Sequence, residues 1–170
     1  MNKTIIISLT ILCLVIVAFA QKQEGNADMK LNSPEFKHNE FIPKKFTCQG
    51  QDINPTIQIE DLPKDAQSLA LIMDDPDAPM GTWVHWVVFD ITPTTQIKEN
   101  SIPGKQGANT AGGNDYHGPC PPFGTHRYFF KIYALDTMLN LVEGISKVKL
   151  EKAMQGHILA SAELIGLYKK

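Results

Sequence analysis

Arginine is all but missing. The chain has 170 residues and 16 Lys or Arg, yet Arg127 is its only arginine. With 18 Asp or Glu, the formal net charge is −2 and there is no basic excess. Nucleic-acid binders need a clustered cationic footprint to replace phosphate counterions, so no nucleic-acid role is expected. Cysteine is scarce: three residues, with no Cys-x-x-Cys pair, which argues against a structural zinc site. There is no P-loop, no His-Glu-x-x-His and no Gly-x-Ser-x-Gly elbow. No catalytic residue, metal site or cofactor is therefore assigned. Internal repeats and low-complexity tracts are also lacking. Hydrophobic residues make up 43% of the chain, enough for the core of one domain.

The one long uncharged run lies at the start. Lys3 supplies a positive charge, Thr4 to Phe19 is mostly apolar, and Ala18-Phe19-Ala20 offers small residues at cleavage positions. Residues 1–20 therefore read as a signal peptide, with Gln21 as the mature start and export to the periplasm or medium. The alternative is an uncleaved membrane anchor, for which the run is short. Leu12-Cys13 makes a poor lipobox. Residues 21–28 read as a flexible lead-in to a domain spanning 29–170. Cleavage leaves Cys48 and Cys120. In an exported protein that pair permits a disulfide, and two free thiols stay equally open.

Ser68 to Met73 is a short apolar run stopped by an Asp-Pro turn, and reads as a buried strand. Val84 to Asp90 and Arg127 to Leu135 read as two more. Alternation puts His85, Val87 and Phe89 on one face of the second, with Trp86 pointing away. On the third it puts His126, Tyr128, Phe130 and Ile132 opposite Arg127, Phe129, Lys131 and Tyr133. Lys147 to Gln155 is a helix with Ser146 as N-cap and Gly156 as stop. After Gly156 the alternation of Ile158, Ala160, Ala162 and Leu164 reads as a last strand, with a continued helix as the alternative. Residues 103–125 hold six of the 12 glycines and four of the 11 prolines. Loops longer than about 12–15 residues in compact domains are usually functional or disordered. A mobile first half and a proline-stiffened second half forming a site wall are expected.

Both tryptophans and the arginine fall in two segments. One reads Asp75-Pro76-Asp77-Ala78-Pro79, then Trp83-Val84-His85-Trp86. The other reads Gly118-Pro119-Cys120-Pro121-Pro122, then His126-Arg127-Tyr128. Each joins a rigid loop to a histidine near a strand start. If the strands are neighbours, two imidazole N–H donors can face one cavity and suit a phosphate or carboxylate oxygen. Near neutral pH either ring can gain a proton. Asp75 can fix the tautomer of one ring, or receive a ligand ammonium or hydroxyl. Tyr128 adds a hydroxyl, and backbone N–H groups around Gly118 and Cys120 suit an anion nest. Asp-Pro-Asp is also an ordinary Asx-turn pattern, a reading that fits Asp77 better than Asp75. Arg127 faces away from His126 and is read as a structural ion-pair partner, with Asp77 the candidate. A lone strand histidine is usually structural, and Trp83 and Trp86 are readily core aromatics. His38 and His157 lie outside both segments.

These segments resemble the phosphatidylethanolamine-binding protein family, in its bacterial and archaeal Raf-kinase-inhibitor-like branch. The resemblance runs from about Met29 to Tyr168. It also rests on Phe46-Thr47-Cys48 and Gly156-His157-Ile158-Leu159-Ala160. It implies a mostly β fold, a large antiparallel sheet packed on a smaller one, with one or two short helices. It further implies that Asp75, Pro79, Trp83, His85, Cys120, Pro121, His126 and Tyr128 line an anion pocket, beside Gly118 and Pro119. Cys120 replaces a glycine usual in eukaryotic members. The chain to Lys170 leaves no room for their extra C-terminal helix, so their partner-binding activities are not carried over.

The resulting expectation is a binding protein with a preformed pocket for a small anion or phosphorylated small molecule. Membrane contact is expected only through a phospholipid headgroup. Two alternatives remain: an inhibitor of a kinase or protease acting through its surface, and a hydrolase using the Asp/His pocket. A protein partner and a homodimer stay open.

Overall fold

A computed structural model describes residues 28–170. The expected signal peptide, its cleavage after Ala20 and nearly all of the lead-in lie outside the described residues. In chain order the elements are β1 (Lys30–Asn32), β2 (Glu40–Phe41), a 3-10 turn (Lys44–Phe46), β3 (Ile57–Glu60), β4 (Ser68–Asp75) and β5 (Trp83–Ile91). They continue with β6 (Gln96–Ile97), β7 (Lys105–Gln106), β8 (Thr125–Leu135), α1 (Lys147–Met154) and β9 (Ile158–Lys169). The smaller sheet has the order β1-β3-β6, and the larger β2-β9-β8-β4-β5-β7. The protein is mostly β, as expected, with one short helix among the described residues. The larger sheet departs from a purely antiparallel one at its edge: Glu40 and Phe41 of β2 run parallel to Gly166 and Leu167 of β9.

Both faces of the larger sheet are covered. Leu31, Ile57, Ile59 and Ile97 of the smaller sheet pack on Leu71, Met73, Trp86, Val88, Phe130 and Ile132. On the other face, Leu150 and Met154 of α1 pack on Ala70, Ile72, Val87 and Phe89. That double cover explains why every residue of β4 is buried, where a one-sided strand would alternate. Full burial of such a side chain contributes about 1.5–3 kcal/mol. Helix α1 is placed by its ends: the Ser146 hydroxyl accepts from the Lys149 N–H, and Gly156 follows at φ 80°. Leu150 and Met154 lie one turn apart, so a single stripe meets the sheet. The segment after Gly156 is the strand β9, paired with β8 along its length, and not a continued helix.

The loop from Pro103 to Gly124 differs from expectation in its first half. It contains β7, and Gly107, Ala108 and Thr110 donate backbone hydrogen bonds to Val87, Ile145 and Val84. The glycines allow close approach rather than freedom. A side chain at Gly107 would come within 2.6 Å of the Ile145 carbonyl oxygen and a Val87 methyl.

Candidate functional site

In the larger sheet β4 lies between β8 and β5 and runs antiparallel to both. The end of β4 therefore meets the starts of its two neighbours, and Asp75, His85 and His126 come together there. Asp75 lies on the Leu71–Met73 side of β4, toward the smaller sheet. On β8, His126 alternates with Tyr128 and Phe130 on that same side, as expected, with Arg127 outward.

His85 reaches the cavity by an irregularity. Met73 pairs with Trp86 and Asp74 with Val84, so one step on β4 spans two on β5. That is a β-bulge, and His85 is the extra residue. Val84 and Val87 both pack toward α1, whereas Trp86 belongs to the core on the other face. His85 sits edge-on to Tyr128, ring centroids 5.1 Å apart, on the Trp86 side. The expected grouping of His85 with Val87 and Phe89 is thereby corrected. Bulges re-aim side chains, and this one turns an imidazole into a cavity.

The opposite wall is the loop from His117 to Pro122. Cys120 is bridged to Cys48, with Cα atoms 5.5 Å apart. The Cys48 N–H also donates to the Pro119 carbonyl, and the Tyr116 hydroxyl to that of Phe46. Gly118 is wedged against the segment carrying Phe46 and Thr47. A Cβ there would lie 2.5 Å from the Phe46 carbonyl oxygen and 2.9 Å from the Thr47 Cα. Only glycine fits. Its N–H donates to Asp52 Oδ1 at 2.6 Å, so it is not free to form an anion nest. Gly118 and Pro119 are buried behind the wall and do not line the cavity. For these two residues the expectation of ligand contact is corrected.

The cavity measures about 370 Å³. Asp75, Pro79, Trp83, His85, Cys120, Pro121, His126 and Tyr128 all line it. So do His117, Ala78, Met80 and Pro122, which were not singled out from sequence. His117 is the consequential omission. Its carbonyl takes the His85 Nδ1 proton at 2.5 Å, and its ring stacks on His85 with centroids 6.0 Å apart. Its position immediately before Gly118-Pro119, at the edge of the second segment, was an available signal.

The Asx turn falls to Asp75 rather than to Asp77, while the imidazole contact of Asp75 and the Arg127 pair of Asp77 are as expected. Asp75 makes the Asx turn, accepting the Asp77 N–H on Oδ1 at 2.8 Å. Its Oδ2 accepts from His126 Nδ1 at 2.7 Å. Each Asp75 oxygen thus accepts one internal hydrogen bond while the residue lines the cavity. Asp77 takes Arg127, the expected pair: Nε donates to Oδ2 at 2.9 Å, a terminal nitrogen to Oδ1 at 2.7 Å, and the backbone N–H to Oδ2 at 3.0 Å. This two-pronged pair holds the Asp77 carboxyl down at about 2, chiefly through the guanidinium hydrogen bond.

A carbonyl can only accept, so His85 carries its proton on Nδ1, and the neutral ring presents a lone pair on Nε2. Burial pushes its pKa down to about 4. Neither a second N–H donor nor protonation near neutrality belongs to His85 as such. Burial, with Asp75 nearby, pushes the Tyr128 hydroxyl well above its ordinary value and keeps it protonated. That hydroxyl is buried without a hydrogen-bond partner of ordinary geometry, and the nearby Cys120 backbone only partly opposes the upward push of burial. No lysine or arginine lines the cavity. Among the described residues, no three His, Cys, Asp or Glu side chains are grouped to hold a metal ion.

The phosphatidylethanolamine-binding protein family model matches residues 32–169. A UPF0098 protein of Pyrococcus horikoshii is 47% identical over 178 residues, covering 97% of this chain and 89% of its own. A UPF0098 protein of Aquifex aeolicus is 48% identical over 166 residues, covering 92% and 97%. Among solved structures, a putative phosphatidylethanolamine-binding protein homologue of Chlamydia trachomatis superposes with a TM-score of 0.82 at 46% identity, covering 85% of this chain and 99% of that one. YbcL of E. coli, described as a new member of the mammalian family, gives 0.78 at 27% identity with the same coverage.

Proposed function

Since the chain belongs to the phosphatidylethanolamine-binding protein family, we propose that it is a binding protein whose pocket takes a small anion, in particular a phosphoryl headgroup. The observation that carries this reading is the Tyr128 hydroxyl, buried in the pocket lining without a partner. A buried donor left unmade costs about 1–3 kcal/mol, and a ligand oxygen removes that cost. Around it stand His85, His117 and His126, the last backed by Asp75. The rest of the lining is proline, tryptophan, methionine, Ala78 and the bridged Cys120. A few convergent polar groups in an apolar cavity are the usual make-up of a small-ligand site.

The pocket is held ready by the Cys48–Cys120 bridge. A bridge of this kind persists in oxidising compartments, which supports the reading of residues 1–20 as an export signal. Calorimetric titration with O-phosphorylethanolamine tests the pocket. Hydrogen bonds to a charged group contribute about 1.5–3 kcal/mol, so His126→Ala and Tyr128→Phe should each weaken binding by about tenfold to a hundredfold. Lys169→Ala should not. Unchanged affinity in both pocket variants would overturn the proposal.

A further inference from the structure

The pocket's hydrogen-bonding groups are not all donors, and that narrows what fits. On one side His85 Nε2 can only accept, because the His117 carbonyl holds the proton on Nδ1. Beside it the Tyr128 hydroxyl is an unpaired donor. His126 donates through Nδ1 to Asp75, so its Nε2 faces the cavity as an acceptor in the neutral ring and as a donor in the imidazolium. The titratable groups facing His85 are Asp75 of β4, Asp52 of the segment after the 3-10 turn, His117 of the wall, and Tyr128 of β8. None is a lysine or arginine. Burial further opposes a proton on His85.

We infer that the pocket selects a phosphomonoester carrying one proton, with His117 the residue that sets this choice by fixing the His85 tautomer. This rests on the phosphoryl reading above. A singly protonated phosphomonoester offers one O–H to His85 Nε2 and ionised oxygens to the Tyr128 hydroxyl and to His126 as an imidazolium held against Asp75. A dianion brings a second negative charge beside Asp75, with no lysine or arginine to balance it. A sulfate monoester and a phosphodiester each carry one negative charge but no proton, so both leave His85 Nε2 facing an acceptor. The second proton of a phosphomonoester leaves near pH ~6, so this selectivity is visible in an ordinary pH series.

Calorimetric titration of the full protein with methyl phosphate, methyl sulfate and dimethyl phosphate, at about pH 5 and about pH 8, tests the inference. At the lower pH, methyl phosphate should bind at least about tenfold more tightly than either competitor. Its advantage over methyl sulfate should shrink about tenfold or more at the higher pH. Equal affinity for the three, or an advantage that ignores pH, would overturn the inference while leaving a phosphoryl pocket in place. Failure of all three to bind would overturn both. Dihexanoyl phosphatidate carries the same group on a lipid. If it outbinds methyl phosphate with the same pH dependence, the source is lipid-borne; if methyl phosphate wins, it is a free small molecule. His85→Leu removes the acceptor, so it should cut discrimination against methyl sulfate to within about threefold. Retained discrimination would contradict the inference, and the wild-type series decides the matter if that variant does not fold.

Discussion

Asp75 and Asp77 stand two residues apart, and each reaches across to β8. They land on neighbours facing opposite ways. Asp75 meets His126 inside, with both side chains only 4–5% exposed. Asp77 meets Arg127 outside, at 28% and 52% exposure. Both are short, oriented carboxylate pairs, but water separates their roles. The outer pair pins the turn after β4 to β8, where solvent already satisfies either partner. The inner pair orients an imidazole in a place where neither partner has an alternative. Equal geometry therefore does not mean equal energy or equal function.

The largest expected effect comes from breaking the inner pair. Asp75→Ala strands the His126 Nδ1 and the Asp77 N–H together, and buried pairs that lose one member cost about 3–5 kcal/mol. Urea denaturation should show a loss in that range. A loss no larger than that of Asp77→Ala would erase the distinction drawn here.

The next effect concerns His85. Its folded value of about 4 lies below the ordinary 6.5, so between those values the unfolded chain binds more protons than the folded one. Stability therefore falls as pH drops from about 6.5 to about 4, by about 3 kcal/mol in all, and this group contributes no such loss above that window. The difference between wild type and His85→Gln, followed by denaturation across the window, isolates it. A pH-independent difference would place His85 in contact with water.

The smallest effect belongs to the outer pair. Asp77→Ala should move the denaturation midpoint far less than Asp75→Ala, and raised salt should shrink even that shift, because exposed pairs are screened. An effect as large as that of the inner variant, indifferent to salt, would show the turn after β4 to be the pocket's true foundation.

Much of this was legible in the sequence. β4, β8 and α1 are bounded by signals with a local cause: an Asp-Pro turn, alternation, a serine cap and a glycine stop. For Cys48 and Cys120 the sequence permits either a bridge or two thiols, because nothing in their spacing fixes a Cα separation; the fold brings them together. The direction of His85 was not legible. Alternation assumes an unbroken pleat, and the bulge between Val84 and Trp86 is a property of pairing with β4. The same holds for Asp52, which braces Gly118 from a distant segment. That the Asx turn falls to Asp75 was hidden for a related reason. Either can make an Asx turn locally, and the choice is made by what β8 presents opposite each. His117 stands at the edge of the second segment, and its contact with His85 comes from the way the loop folds over β5 rather than from local sequence.

The central claim is that the cavity at the end of β4 binds a phosphoryl group. Crystals soaked in O-phosphorylethanolamine test it most directly. The account predicts phosphate density in the cavity, with oxygens within hydrogen-bonding reach of the Tyr128 hydroxyl and His126 Nε2. Density only elsewhere on the protein, with Tyr128 still unpartnered, would contradict it.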